Sequence, residues 1–381
     1  MVTKMLAATP PMGWNSWNTF GPDIDEKLIL ETADAMVEKG FLDAGYEYLV
    51  IDDGWMTNER VDGKLVVNTE KFPHGMKYVG DYIHSKGLKF GIYTAAGTCT
   101  CQGLPGSYGH EYEDVQMFAE WGVDYIKYDL CHFPGSGDIK NTYLTFSQAM
   151  RNCGREMIYS ACTVGEGEPH KWMRSVGAHL YRSTGDINDD FSSFRSNAIS
   201  QLRKLDSSAP GCFNDIDMLV VGMNGKGHVA YTKGCTNYEY LLHFSLWCMF
   251  GAPLMIGCDI RSISDEDRAI LLNRDLIAID QDVDCRPPYY EERQRYAADG
   301  RLAFMKLLAD GDMIIAYYNF SDEDTLWVPF YFDDYGIPSS TGYGLDMTDV
   351  ITGEHLGVKH DHYNPMVPPR SFLMYRARLV K

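Results

Sequence analysis

The hydrophobic pattern changes once along the chain. Up to about residue 285, short apolar runs alternate with amphipathic stretches; after about residue 288 only short apolar runs remain. The first pattern predicts parallel strands joined by crossover helices. Eight runs read as strands: Pro11 to Trp14, Tyr46 to Ile51, Lys89 to Thr94, Val123 to Tyr128, Met157 to Ala161, His179 to Ser183, Cys212 to Met218 and Pro253 to Gly257. Eight such units close a (β/α)8 TIM barrel. Asp25 to Lys39 sets Leu28, Ile29, Thr32, Met36 and Val37 on one helical face, with Gly40 as C-cap. Gly122 ends the helix that closes over Val115 to Trp121. Ser264-Asp265-Glu266-Asp267 opens another with acids in its first turn, as the helix dipole favours. The Gly-rich stretch Ala95 to His110 follows a strand, so it belongs on the face where barrel active sites sit.

Past residue 288, Leu302 to Leu308, Met313 to Phe320, Thr325 to Phe332 and Ser371 to Val380 read as strands. Turn signals stand at Asp310-Gly311, Ser321-Asp322 and Thr352-Gly353. The expected organisation is a catalytic barrel over residues 1–287 and a C-terminal antiparallel β-sandwich over residues 288–381. No solenoid repeat or low-complexity segment is visible.

Composition narrows the function classes. A chain of 381 residues, 45% hydrophobic, can bury a large core. A net charge of −19 argues against nucleic acid and anionic membranes as partners and suits a neutral or cationic small molecule. A homo-oligomer is compatible with it. No run of about 20 apolar residues occurs, so no membrane span is expected. Met1 to Thr9 carries one Lys and no apolar run before Pro10-Pro11, so no signal peptide and a cytoplasmic location are expected. The ten Cys are scattered, and most read as reduced, buried thiols.

The candidate chemistry lies at strand ends. The apolar strand Tyr125-Ile126-Lys127-Tyr128 stops on Asp129, which either caps the next element or stands at a barrel mouth. Asp52 and Asp53 end the second strand, Asp186 follows the sixth after Arg182, Asp215 and Asp217 lie on the seventh, and Asp259 follows the eighth. Carboxylates that converge among Trp14, Trp17, Trp55, Tyr93 and Tyr128 fit a sugar site. They accept hydrogen bonds from hydroxyls, an indole covers a pyranose face, and two further carboxylates can perform glycoside hydrolysis. Structural roles, capping or ion pairing, fit Asp189, Asp190 and Asp215 better. Lys127 falls on the same side of its strand as Asp129 and would keep that carboxylate ionised. Cys99, Cys101, Cys131 and His132 lack the paired spacing of a zinc site; a Cys101–Cys131 disulfide or plain thiols fit better. No HExxH, P-loop, GxGxxG or GxSxG motif occurs, so neither metal nor cofactor is implied.

The motifs Pro11-Met12-Gly13-Trp14-Asn15-Ser16-Trp17, Ile51-Asp52-Asp53-Gly54-Trp55, Lys127-Tyr128-Asp129, Arg182-Ser183-Thr184-Gly185-Asp186 and Asn214-Asp215-Ile216-Asp217-Met218 occur in order. Together they resemble family 27 glycoside hydrolases, the α-galactosidase and α-N-acetylgalactosaminidase family, from Thr9 to about Asp282. The resemblance implies an exo-acting, retaining α-galactosidase, with Asp129 as nucleophile and Asp186 as acid/base. It implies sugar contacts from Trp17, Asp52, Asp53, Tyr93, Lys127, Cys162, Thr163, Arg182 and Asp217, and a disulfide between Cys101 and Cys131. Where family α-galactosidases commonly carry Cys-Glu-Trp, this chain has Cys162-Thr163-Val164. Thr163 is small and would leave room for a 2-acetamido group. On the same scaffold, α-N-acetylgalactosaminidase and β-L-arabinopyranosidase are the alternative activities, and a catalytically inactive sugar-binding barrel is the alternative class.

Overall fold

The computed structural model describes residues 5–290 and 300–381. The first strands are β1 (Met12–Asn15), β2 (Tyr48–Ile51), β3 (Lys89–Ala95), β4 (Tyr125–Asp129), β5 (Ile158–Cys162), β6 (Leu180–Arg182), β7 (Phe213–Asp215) and β8 (Leu254–Ile256). They form one parallel sheet in the order β7-β6-β5-β4-β3-β2-β1-β8. Leu219, just past β7, closes the ring onto β8: its N–H donates to the Met255 carbonyl (2.7 Å), and its carbonyl accepts from Gly257 N–H (2.9 Å). The expected (β/α)8 barrel is formed.

Period-2 alternation sorts the strand residues. Tyr48, Val50, Tyr125, Ile158, Leu180 and Met255 share a small apolar cluster with Met218 inside the barrel. Leu49, Ile51, Ile126, Tyr128, Tyr159 and Tyr181 join the larger core outside it. The inward rows thus run from apolar to charged: Tyr48, Val50, Asp52 on one strand and Tyr125, Lys127, Asp129 on another. The apolar foot fills the barrel, and the charged groups arrive at its carboxyl-terminal mouth.

Around the sheet lie α1 (Trp17–Phe20), α2 (Glu26–Glu38), α3 (Gly75–Ser85), α4 (Glu111–Glu120), α5 (Ile139–Asn152), α6 (Phe191–Ile199), α7 (Asn237–Phe250), α8 (Asp265–Leu271) and α9 (Arg274–Asp280). Asp25 caps α2 by accepting Leu28 N–H. Leu28, Ile29, Thr32 and Met36 are buried as the pattern requires, whereas Val37 is exposed. Thr236 and Glu239 form a capping box at the start of α7. Among the described residues no helix is long and apolar enough to cross a membrane.

The C-terminal part is antiparallel: β9 (Arg301–Leu307), β10 (Met313–Asn319), β11 (Leu326–Trp327), β12 (Gly344–Asp349), β13 (His355–Lys359), β14 (Met366–Val367) and β15 (Ser371–Val380). Five strands form a sheet in the order β13-β12-β15-β10-β9, and β11 pairs with β14. Along β10, Met313, Ile315 and Tyr317 enter a core of their own, while Ile314, Ala316 and Tyr318 join the barrel core. The sheet therefore lies on the barrel, and α7, buried along most of its length, is the element between them. Tyr318 accepts from Ser245 Oγ of α7 (3.4 Å), and Phe250 meets Phe304 edge-on.

Three expectations change. The run Thr325 to Phe332 is a strand only at Leu326–Trp327. Strands β12, β13 and β14 lie outside the expected runs: β13 is half-exposed or exposed throughout and carries no apolar alternation, and β14 is two residues long. The run Cys212 to Met218 leaves the sheet after Asp215. The expected division between residues 287 and 288 falls in the connection between α9 and β9. Residues 1–4 and 291–299 of the expected domains lie outside the described residues.

Candidate active site

Four strand ends, those of β2, β4, β6 and β7, bring charge to the barrel mouth. Asp52 and Asp53, just past β2, are both about 1% exposed. Asp52 Oδ2 accepts from Asn15 Nδ2 (2.7 Å) and from Lys127 Nζ (2.8 Å). Asp53 Oδ2 accepts from Gln102 N–H (2.9 Å). Burial pushes the Asp53 carboxyl up to about 6, further than the Thr100 and Gln102 hydrogen bonds draw it down. A carboxylate kept dry in this way is one that a ligand hydroxyl can solvate.

Lys127 stands between two acids, 2.8 Å from Asp52 and 3.9 Å from Asp129 Oδ2. Burial disfavours its charge, but Asp52 and Asp129 more than compensate, and its pKa lies above the usual lysine range. Its ammonium also sits over the Tyr93 ring, 5.2 Å from the centroid. Asp129 Oδ1 accepts Leu130 N–H (2.9 Å), leaving Oδ2 toward Lys127.

A disulfide joins Cys101 to Cys131, with Cα atoms 5.3 Å apart. It ties the loop that supplies Gln102 N–H to the end of β4, and the Tyr93 hydroxyl lies 3.7–3.8 Å from both sulfurs. Gly97 lets that loop pass under the strand end: a Cβ there would lie 2.0 Å from the Cys131 carbonyl oxygen. Among the described residues, Cys101, Asp129 and Cys131 are the one acid-and-thiol cluster tight enough to share an ion. Its two sulfurs are committed to each other, so Cys101 and Cys131 offer no thiolate. The other eight cysteines are free.

At the end of β6, Arg182 Nη2 donates to Asp186 Oδ1 (2.6 Å) and lies 3.0 Å from Asp217 Oδ2. The Asp186 side chain is 73% open to solvent. Protein around the concave mouth pushes its carboxyl up, but the Arg182 charge and hydrogen bond, with Lys127, outweigh this and hold it below the usual range. Asp217 is enclosed. Burial pushes it up to about 6 against the Arg182 charge. Its backbone is left-handed, φ +82°, a conformation that costs an L-residue roughly 1–2 kcal/mol.

Trp17 follows β1, half-buried, and its N–H donates to Asn15 Oδ1 (2.8 Å). Its indole meets His228 edge-on, with centroids 4.9 Å apart. Cys162, at the end of β5, is 2% exposed; burial and then the Asp129 charge push its thiol up.

The structure therefore gathers Trp17, Asp52, Asp53, Tyr93, Lys127, Asp129, Cys162, Arg182, Asp186 and Asp217 around one mouth. Thr163 does not join them. It is fully buried, and its hydroxyl has no partner among the described residues. It follows the last residue of β5 and lies beneath the surface. Val164, 42% exposed and left-handed (φ +46°), is the solvent-facing residue there. Trp14, Trp55 and Tyr128 also leave the expected pocket. Trp14 donates to the Cys258 carbonyl, Trp55 to the Tyr93 carbonyl, and Tyr128 stacks on Phe146 at 3.8 Å. Asp190 caps α6, Asp259 pairs with Arg261, and Asp189 holds the β7–α7 loop through Gly225 N–H and Tyr240. Asn15 and His228 had not been singled out. Asn15 stands at a strand end like the acids, while His228 depends on how a long loop returns over Trp17.

A barrel whose mouth holds paired carboxylates, two cations and an open indole edge defines a sugar-processing hydrolase. The comparisons narrow this. A family model described as alpha galactosidase A matches residues 9–282. Alpha-galactosidase A of Cellvibrio japonicus is 41% identical over 334 residues, covering 84% of this chain and 78% of that protein. The alpha-galactosidase of Coffea arabica is 46% identical over 284 residues, 74% of this chain and 72% of that protein. Alpha-galactosidase I of Mortierella vinacea superposes with a TM-score of 0.88 at 30% identity, over 98% of this chain and 97% of that one. The chain belongs to the α-galactosidase family of glycoside hydrolases, family 27.

Proposed function

We propose that the protein is an exo-acting, retaining α-galactosidase, which releases terminal α-D-galactose from small oligosaccharides or glycoconjugates. The observation that carries this reading is the place of Lys127. One buried ammonium touches Asp52, lies beside Asp129 and acts at longer range on Asp186. It couples a sugar-binding acid to both catalytic acids.

In the first step Asp129 attacks the anomeric carbon while protonated Asp186 gives its proton to the departing glycosidic oxygen. The C1–O bond breaks and a galactosyl ester forms on Asp129 with inverted configuration. In the second step Asp186, now the base, takes a proton from water, and the water oxygen displaces Asp129 from C1. Two inversions give net retention. Asp52 and Asp53 accept hydrogen bonds from sugar hydroxyls, and Trp17 covers an apolar face of the ring. Because Arg182 holds the Asp186 carboxyl down, the proton needed in the first step is lost early as pH rises. The reading therefore carries an acidic optimum.

A panel of 4-nitrophenyl α-galactoside, α-N-acetylgalactosaminide and β-L-arabinopyranoside tests the reading. The α-galactoside should be turned over with the highest kcat/KM, and NMR of the fresh product should show α-galactose. Preference for another of the three reassigns the sugar. Inverted product rejects the mechanism, and no turnover of any rejects the enzyme.

A further inference from the structure

We propose that Asp215, which contacts neither a mouth cation nor a helix end, is a positioning residue that sets Asp186 in place for acid/base work. This rests on the reading of Asp186 above.

The path is built from short contacts. Asp215 is the last residue of β7, and its Oδ1 accepts the backbone N–H of Asp217 (2.8 Å). On the other side of the same residue, Trp247 of α7 donates its indole N–H to the Asp217 carbonyl (2.7 Å). Asp217 is thus gripped at both of its backbone polar groups, in a left-handed conformation that L-residues adopt uncommonly (φ +82°).

That conformation aims the Asp217 carboxylate back across the mouth. Oδ2 accepts the N–H of Ile187 (2.6 Å) and lies 3.0 Å from Arg182 Nη2. Ile187 is the residue after Asp186, and the same Arg182 nitrogen donates to Asp186 Oδ1 (2.6 Å). Asp217 therefore holds the acid/base twice, through its neighbour's backbone and through its guanidinium partner.

Asp215 itself lies at the floor of the site: it lines a cavity of about 20 Å³ with Tyr125, Ser160 and Met255 below and with Lys127, Arg182 and Asp217 above. Remove its acceptor, and the Asp217 N–H is left buried without a partner. The chain then has a reason to leave φ +82°, and the Asp217 carboxylate swings off both Ile187 and Arg182. The fault appears in proton transfer to the leaving group rather than in attack by Asp129.

Leaving-group dependence reads this fault. The substrates are methyl α-galactoside, which needs its leaving oxygen protonated, and 2,4-dinitrophenyl α-galactoside, which does not. Asp215→Ala should lose at least about tenfold more kcat/KM on the first than on the second, part of the roughly 10²–10⁴-fold that general acid catalysis supplies. The alkaline limb of its pH profile should move. Asp215→Asn keeps an acceptor at the same atom and should stay within about twofold of wild type on both, whether or not the Ala variant folds. Equal losses in Asp215→Ala overturn the proposal, as does Asn behaving like Ala. Asp186→Ala runs alongside. If it too loses equally on both substrates, the acid/base reading falls and takes the relay with it. If it discriminates and Asp215→Ala does not, the relay alone falls.

Discussion

Asp53→Asn should make the protein more stable as it destroys sugar binding, and the gain should depend on pH in a defined way. Asp53 is buried beside a second carboxylate, and its pKa is raised from 3.8 to about 6. A rise of about 2 units corresponds to about 3 kcal/mol of preference for the protonated form in the folded state. Below about pH 4 the group is protonated both folded and unfolded, and the substitution should change little. As pH rises the unfolded chain releases its proton first, so folded wild type loses stability through about pH 6 and reaches its full deficit above it. Asn keeps an acceptor for Gln102 N–H and never ionises. Unfolding entropy of roughly 2 cal/mol/K per residue gives about 0.8 kcal/mol/K for 381 residues, so the deficit amounts to about 4 °C. Calorimetry across this range should show the Tm difference growing from near zero to a few degrees in favour of the variant, while KM for 4-nitrophenyl α-galactoside rises sharply. A pH-independent difference, or a variant less stable above pH 7, would refute the assignment of Asp53 as a strained acid held for the ligand.

Asp129→Ala should lose nearly all turnover, and azide should restore it by entering from the vacated side to give β-galactosyl azide; wild-type turnover in this variant removes Asp129 as nucleophile. His228→Ala removes an edge-on aromatic contact worth roughly 0.5–1.5 kcal/mol, so KM should rise about two- to tenfold with kcat nearly unchanged. His228→Phe should restore it, and an equal fall in kcat would show that His228 does more than brace Trp17.

The barrel was legible because parallel strands buried on both faces are continuous apolar runs, and eight of them survive as such. Asp52, Asp129 and Asp186 were legible for a related reason: a carboxylate ending an apolar run has few places to go but the barrel mouth. Side-chain facing was harder to read. Tyr128 and Lys127 are neighbours of opposite face, and only the register with Asp129 says which turns inward. Trp14 and Trp55 were counted with the pocket because aromatics suit sugars, yet each spends its indole N–H on a backbone carbonyl in the core. Thr163 is fully buried, which its place after an apolar strand does not announce. The reach of β7 was overestimated because Ile216 and Met218 continue its apolar alternation, while the left-handed turn at Asp217 is signalled only by a residue type that visits that region more readily than most. His228 lay beyond local inference, since its contact with Trp17 spans more than two hundred residues.

The helix α7 has a consequence for how such enzymes can be recombined. A barrel helix normally keeps one face for solvent, but Leu242, Phe244, Leu246, Trp247 and Met249 leave α7 no such face. Its outer wall is furnished by Tyr318 and Phe304 of the C-terminal sheet. The same helix carries Trp247, whose indole grips Asp217. The sheet is thus the last layer of the catalytic unit rather than an appendage. A chimera that grafts this barrel onto a foreign C-terminal module would have to bring β9 and β10 along, or accept a remodelled α7 and a loosened Asp217.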